Sequence, residues 1–150
     1  MIGERKMIDV LVVEDSAVTR ELLVHILSSD SGIEVIGVVG DGEKALEFLT
    51  QKTPDVITMD INMPRLDGIE TTRRIMQTKP VPIVIVSAYW SSREVETTFR
   101  AMEAGAVAIM EKPAGIGHPD YRDTSERIIR QVRLMSEVRL VRRLNRAGKE

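Results

Sequence analysis

Short apolar runs alternate along the chain with longer segments in which apolar residues recur at helical spacing. The runs are rich in valine and isoleucine, which is typical of strands buried on both faces of a parallel sheet. Before the first helical segment, Ser16 is a suitable N-cap, because its hydroxyl can accept from a free first-turn N–H. The pattern predicts strands at residues 8–13, 35–39, 56–59, 83–86 and 107–110, and helices after Ser16 and at residues 42–51, 66–77, 91–104 and about 123–146.

This alternation of five strands with five helices predicts a doubly wound α/β fold. Parallel neighbours need crossover connections, and right-handed crossovers pack helices onto both faces of the sheet. The turn-forming pairs Asp41-Gly42 and Asp67-Gly68 lie where periodic segments stop, in agreement with this division. Sheets of this class bind ligands beyond the carboxyl ends of their strands, so functional side chains are expected there.

Composition narrows the class of protein further. A length of 150 residues fits one domain, and 43% hydrophobic with 29% charged residues is ordinary for a globular chain. The chain has no cysteine. It also has no long apolar run and no signal-peptide core, so a cytoplasmic location without membrane association is expected. A net charge of -2 gives the surface as a whole no attraction for nucleic acid.

Charged side chains follow the predicted strands at their carboxyl ends. Glu14 and Asp15 follow the first strand, Asp60 the third and Lys112 the fifth, while Ser87 ends the fourth. Three carboxylates at one sheet edge repel one another and raise each other's pKa unless a cation or a lysine compensates. Mg²⁺ prefers oxygen ligands and often combines carboxylates with a phosphate oxygen, so this cluster predicts a magnesium site beside a phosphoryl group.

Four segments together resemble the receiver domains of response regulators in two-component signalling. They are Val12-Val13-Glu14-Asp15-Ser16, the stretch from Met59 to Glu70, Val86-Ser87-Ala88 and Glu111-Lys112-Pro113. The resemblance spans roughly residues 7–135 and is strongest to the receiver half of chemotaxis protein-glutamate methylesterases. It implies the flavodoxin-like strand order 2-1-3-4-5.

The resemblance implies roles for the acidic residues. Asp60 is expected to accept a phosphoryl group, a recognised use of an aspartate nucleophile. Asp15 is expected to bind Mg²⁺ directly, Glu14 through water or indirectly, and Asn62 through its backbone carbonyl. Such families often have two aspartates at the end of the first strand, and Glu14 replaces one of them, which keeps the charge on a longer side chain.

The resemblance also assigns the remaining site residues. Lys112 is expected to pair with a phosphoryl oxygen, and Ser87 is expected to reach another oxygen after phosphorylation. The aromatic residue that often couples to such a serine is replaced here by Ile109. Tyr89 and Trp90 either substitute for it or are surface aromatics, and the sequence leaves both interpretations open.

The sequence predicts a receiver domain at residues 1–135, followed by a basic helical extension or linker at residues 136–150. The extension and the helix before it are rich in arginine, which fits a solvated face, a linker to an effector, a homodimer seam or a nucleic-acid contact. A solvated linker is favoured. Direct nucleic-acid binding is disfavoured, because no recognised nucleic-acid-binding pattern accompanies the arginines.

The predicted function is a signalling switch that a histidine kinase phosphorylates and that acts on an effector domain or downstream protein. The chain itself is expected not to be an enzyme, since it lacks the Gly-x-Ser-x-Gly elbow of serine esterases. One alternative is the severed regulatory domain of a chemotaxis methylesterase. A flavodoxin-like cofactor binder and an aspartate-nucleophile phosphatase are the other two, but acidic residues in the first loop disfavour binding of a cofactor phosphate.

Overall fold

The computed structural model describes residues 6–88 and 92–140, with the side chains of residues 92–95 left aside. Ten elements alternate along the chain in the predicted manner. In chain order they are β1 (Ile8–Val13), α1 (Ala17–Ser28), β2 (Ile33–Val39), α2 (Gly42–Leu49), β3 (Val56–Asp60), α3 (Gly68–Thr78), β4 (Ile83–Ser87), α4 (Ser92–Ala104), β5 (Ala108–Glu111) and α5 (Tyr121–Met135).

The five strands form one sheet in the order β2-β1-β3-β4-β5, and every neighbouring pair is parallel. This confirms both the fold class and the strand order expected from the sequence. The order reverses between β1 and β3, which are neighbours although β2 separates them in the chain. Val13 pairs with Met59 in their register. The next residue of each strand, Glu14 and Asp60, therefore emerges at the switch point where such folds bind ligands.

Two hydrophobic cores cover the two faces of the sheet, and alternate residues of each strand enter different cores. In β1, Leu11 and Val13 belong to the core that α2, α3 and α4 cover. Val10 and Val12 belong to the other core, with Leu23 and Ile128 contributed by the helices α1 and α5. All of these β1 residues are at most 1% exposed. Burial on both faces explains why the strands are apolar runs without a polar alternation.

Element boundaries differ from the sequence predictions by one to three residues in several places. The structure starts β2 at Ile33 and α3 at Gly68, whereas the sequence pattern placed these starts at residues 35 and 66. The later start of α3 has a local cause, because Asp67 is its N-cap and accepts from the Glu70 N–H at 2.8 Å. A cap of this kind satisfies one of the donors that the first helical turn leaves free.

The prediction of a last helix reaching residue 146 is wrong for the described residues, because α5 ends at Met135. The Ser136 N–H bonds back to Val132 and Leu134, and its hydroxyl donates to the Arg133 carbonyl at 2.7 Å. Such local bonds close the last turn and compete with continuation of the helix. Residues 141–150 lie outside the described part of the chain. The division of the chain at residue 135 stays a prediction.

Candidate functional site

Glu14 follows β1 directly and is fully buried at the carboxyl edge of the sheet. Its backbone N–H donates to the Val39 carbonyl at 3.0 Å, which continues the pairing of β1 with β2 by one residue. Its Oε2 accepts from the Ser16 N–H at 3.1 Å, at the start of α1. Glu14 is thus part of the sheet through its backbone, while its carboxylate is folded back over the first turn of α1.

Asp60 is the last residue of β3 and is only 3% exposed. Two backbone N–H groups donate to its carboxylate. The Asp15 N–H lies 3.4 Å from Oδ2, and the Asn62 N–H lies 3.3 Å from Oδ1. The loops after β1 and β3 therefore hold this carboxylate in place, because each contributes one amide donor.

Lys112 joins the two buried carboxylates. It follows β5, where its backbone N–H donates to the Ser87 carbonyl at 2.7 Å and so extends the pairing of β4 with β5. Its Nζ lies 3.1 Å from Glu14 Oε2 and 3.6 Å from Asp60 Oδ1. One half-buried ammonium group thus neutralises charge on residues from two other strands. The sequence predicted that these three residues lie at the same edge of the sheet, and in the structure their charged groups are in contact.

The contact with Lys112 does not keep Glu14 fully ionised at neutral pH. Burial raises the pKa of Glu14 from 4.5 to about 7, and the negative charge of the neighbouring Asp60 acts in the same direction. The Ser16 N–H and the Lys112 ammonium lower the Glu14 pKa but do not offset the burial. Near neutral pH Glu14 is therefore present in both protonation states when no further cation is bound.

The other predicted site residues lie at the same edge but with different exposure. Ser87 ends β4 and is half-buried, one residue beyond Val86, which pairs with Asp60. Asp15 and Asn62 are exposed. Ile109, at the position that often holds an aromatic residue, is half-buried and packs against the core that α3 and α4 cover. The predicted contribution of Tyr89 and Trp90 lies outside the described residues.

Comparison with known proteins identifies the family to which this fold belongs. The model of the response regulator receiver domain matches residues 10–118, which is more than two thirds of the chain. The chain belongs to the receiver domain family. This confirms the resemblance drawn from its motifs and the conclusion that it is a phospho-accepting receiver domain of two-component signalling.

Two relatives and one solved structure are similar to this receiver domain over most of its length. It is 58% identical over 137 residues to a protein-glutamate methylesterase/protein-glutamine glutaminase of Nitrosospira multiformis and 57% identical over 141 residues to one of Syntrophus aciditrophicus. These matches cover 91% and 94% of the chain but only 39% and 40% of the relatives. The crystal structure of the response regulator domain of Thermotoga maritima CheB is 36% identical, with a TM-score of 0.79 and coverage of 89% and 99%.

The donor set of this receiver domain fits a hard divalent cation. The available ligands are carboxylate and carbonyl oxygens, as Mg²⁺ prefers. Glu14 Oε1 is buried and, within the described residues, has no hydrogen-bond partner. A buried anionic oxygen without a donor is costly, so a bound cation would relieve it. In the described part of the chain, however, no three acidic, histidine or cysteine side chains stand together as a metal site.

One residue of the site was not found from the sequence. Arg20, in the first turn of α1, donates from Nη1 to the Glu14 carbonyl at 2.9 Å and to the Asp15 carbonyl at 3.2 Å. A basic residue on a helix is most often solvated, and nothing in the spacing marks this arginine as reaching back to the turn before its helix. Its role depends on tertiary geometry.

Among the described residues, no helix is long and apolar enough to cross a membrane.

Proposed function

We propose that Asp60 is the residue of this receiver domain that accepts the phosphoryl group. The observation that supports this most is the Lys112 ammonium lying 3.6 Å from Asp60 Oδ1 and 3.1 Å from Glu14 Oε2. Of these two carboxylates, Asp60 ends a strand and receives two backbone amides, whereas Glu14 is folded back onto the first turn of α1. Asp60 is therefore the one positioned as a nucleophile towards an incoming phosphodonor.

In the proposed reaction an Asp60 carboxylate oxygen attacks the phosphorus atom and the bond from phosphorus to the donor breaks, with its electron pair leaving on the donor. The amides of Asp15 and Asn62 orient the carboxylate. Lys112 supplies a positive charge to the phosphoryl oxygens as negative charge spreads over them. Ser87 would donate its hydroxyl to a phosphoryl oxygen after transfer. Positioning and charge neutralisation supply most of the rate enhancement in such reactions.

Mg²⁺ is the cofactor that the donor set suits. We assign it to Asp15 and Asp60 directly, to the backbone carbonyl of Asn62, and to Glu14 through water. When bound, the ion would neutralise charge on the phosphoryl oxygens during transfer. The chain's own residues keep the same tasks, since Lys112 and the two amides already contact Asp60.

The phosphodonor of this domain would be a histidine kinase, and its output would be a methylesterase effector. The chain spans about two fifths of the length of its relatives in Nitrosospira multiformis and Syntrophus aciditrophicus, which are both named protein-glutamate methylesterase/protein-glutamine glutaminase. Residues 1–135 would then form the regulatory half and residues 136–150 a linker. In this proposal the domain works in the cytoplasm and has no esterase activity itself.

Acetyl phosphate with Mg²⁺ tests the acceptor. Intact-mass spectra are expected to show one added phosphoryl group on the wild-type chain and none on Asp60→Asn, because an amide cannot act as the nucleophile. Asp123→Asn is the matched control. Asp123 is an exposed aspartate of α5 that pairs with Arg127 and not with any residue of the site, and its variant should label as the wild type does. Labelling of Asp60→Asn at the wild-type rate would refute the assignment.

A further inference from the structure

The turn that joins β1 to α1, residues 14–16, places every backbone N–H on an identified acceptor. Glu14 donates to the Val39 carbonyl at 3.0 Å. Asp15 donates to Asp60 Oδ2 at 3.4 Å, and Ser16 donates to Glu14 Oε2 at 3.1 Å. Two of the three amides of this turn therefore act on the two buried carboxylates of the phosphorylation site.

A single residue serves all three carbonyls of the same turn. Arg20 Nη1 donates to the Glu14 carbonyl at 2.9 Å and to the Asp15 carbonyl at 3.2 Å. The Arg20 backbone N–H donates to the Ser16 carbonyl at 2.8 Å, as the first turn of α1 requires. Arg20 thereby fixes the orientation of both peptide groups between residues 14 and 16.

The structure leaves space for the guanidinium at Gly40, just beyond β2. A Cβ added to Gly40 would lie 3.1 Å from Arg20 Nη1, closer than side chains normally approach. Arg20 also lines an open surface cleft of about 430 Å³ with Glu21, Val24 and Val38. The guanidinium is therefore placed by a gap in the neighbouring loop.

The two peptide groups connect Arg20 electronically to the site. Because the carbonyl and N–H of one peptide are conjugated, a cation on the oxygen makes the N–H a stronger donor. The Glu14 carbonyl shares its peptide with the Asp15 N–H, which faces Asp60. The Asp15 carbonyl shares its peptide with the Ser16 N–H, which faces Glu14. A charge on Arg20 is thus transmitted through one peptide to each carboxylate.

We infer that Arg20 is a positioning residue, which orients and polarises the Asp15 and Ser16 amides towards the Asp60 and Glu14 carboxylates. This inference rests on the proposed role of Asp60 as phosphoacceptor. It predicts an effect on phosphorylation that needs no contact between Arg20 and the phosphodonor. A small donor such as acetyl phosphate therefore isolates the effect from any docking of a kinase on α1.

The test compares Arg20→Gln, which removes the charge, with Arg20→Lys, which keeps it. Proton and nitrogen resonances of the Asp15 and Ser16 amides are measured in the metal-free, unphosphorylated chain, followed by the labelling rate with acetyl phosphate and Mg²⁺. Arg20→Gln is expected to shift both amides upfield and to slow labelling about tenfold, the low end for loss of an outer-shell partner. Arg20→Lys is expected to shift the two amide resonances less and to slow labelling less than Arg20→Gln does. Arg127→Gln, an exposed α5 control, should change neither.

Gly40→Ala is a second variant that retains the arginine and displaces its guanidinium. It is expected to shift the same two amides, so the inference stays testable even where Arg20→Gln does not fold. Slower labelling with unchanged Asp15 and Ser16 resonances would overturn the inference. Equal effects of Arg20→Gln and Arg20→Lys on the resonances and the labelling rate, or no effect of either variant, would overturn it too. Failure of the inference can be distinguished from failure of the proposed acceptor. If Asp60 were not the acceptor, the wild type would take no label at Asp60, but the Arg20 variants would still shift the two amide resonances.

Discussion

Glu14 combines complete burial with a negative charge that is only half compensated. Its Oε2 has two donors, the Ser16 N–H and Lys112, whereas its buried Oε1 has none among the described residues. This imbalance explains why burial raises the pKa of Glu14 to about 7 even though a lysine is in contact with it. The metal-free site is therefore least stable when Glu14 is ionised, which is also the form that suits a cation.

The raised pKa of Glu14 predicts how the stability of the metal-free domain depends on pH. The folded protein holds a proton on Glu14 up to about pH 7, whereas the unfolded chain releases it near 4.5. The free energy of unfolding should therefore fall as pH rises from about 4.5 through 7, by an amount of about 3 kcal/mol at full ionisation. Glu14→Gln should remove this decline. Urea unfolding in a chelator between pH 5 and 8 measures it.

Glu126→Gln is the control for that experiment, since Glu126 is an exposed glutamate of α5. Its pH profile should follow the wild type, so that the difference between profiles belongs to Glu14. Parallel profiles for the wild type and Glu14→Gln would contradict the prediction. Addition of Mg²⁺ should flatten the wild-type decline, because a bound cation favours the ionised carboxylate.

At the scale of elements, the start of α3 is packed against the end of β3 without room for a side chain. A Cβ added to Gly68 would lie 2.8 Å from the Ile61 Cα and closer still to the Asp60 carbonyl oxygen. The Gly68 N–H also donates to the Ile61 carbonyl at 2.9 Å. Because these neighbours are backbone atoms, they cannot rotate away as a side chain could. The position of Asp60, the proposed phosphoacceptor, thus depends on this glycine.

Gly68→Ala is expected to destabilise the domain by about 3 kcal/mol, at the upper end of the cost of overpacking, and to slow labelling of Asp60. Gly115→Ala is the matched control. A Cβ on Gly115 meets nothing within 4 Å, and this glycine has an ordinary φ. Urea unfolding of the two variants is compared with the wild type. Equal stability of both would show that β3 and α3 can separate without cost.

Helix α5 attaches to the sheet through one face only. Ile128 is 1% exposed in the core shared with α1, whereas Leu134, on the same helix, is 57% exposed. Ile128→Ala should therefore cost about 3 kcal/mol of unfolding free energy, and Leu134→Ala less than about 0.5 kcal/mol. Thermal or urea unfolding separates the two. A large loss for Leu134→Ala would indicate that this exposed side has a partner in solution.

The sequence predicted those elements and site residues whose positions follow from local pattern. Strand β1 was correct at both ends, because Val10 and Val12 face one core and Leu11 and Val13 the other, so no polar position interrupts the run. Asp60 and Lys112 were placed correctly at one edge because parallel strands align their carboxyl ends. These predictions needed no knowledge of tertiary contacts.

Other features could not be predicted, since they depend on contacts between distant atoms. Apolar residues continue at helical spacing beyond α5, so the pattern alone does not show that the helix ends at Met135 with Ser136 as its C-cap. Leu140 instead packs against the core on the face opposite α5. Likewise, Arg20 has no distinctive neighbours in the sequence, and its two bonds to the turn before α1 require the folded arrangement in which Gly40 leaves room for the guanidinium.

At the scale of the whole molecule, the proposed phosphorylation site forms only in the complete fold. Glu14 follows β1, Asp60 ends β3 and Lys112 follows β5, and the Lys112–Glu14 contact joins residues 98 positions apart. In an unfolded chain these groups are not together. A ligand that needs all of them therefore binds only the native state and stabilises every element at once.

Beryllofluoride with Mg²⁺, which stands in for a phosphoryl group on an aspartate, is such a ligand. At a concentration one hundred times its dissociation constant it should raise the free energy of unfolding by about 2.7 kcal/mol. Asp60→Asn should gain nothing, because the carboxylate that beryllium binds is absent. Lys112→Ala should gain less at the same concentration, since one cation facing the fluorides is lost. Urea midpoints with and without beryllofluoride measure all three proteins. A full gain in Asp60→Asn would place the ligand elsewhere on the domain and separate the stabilisation from the phosphorylation site.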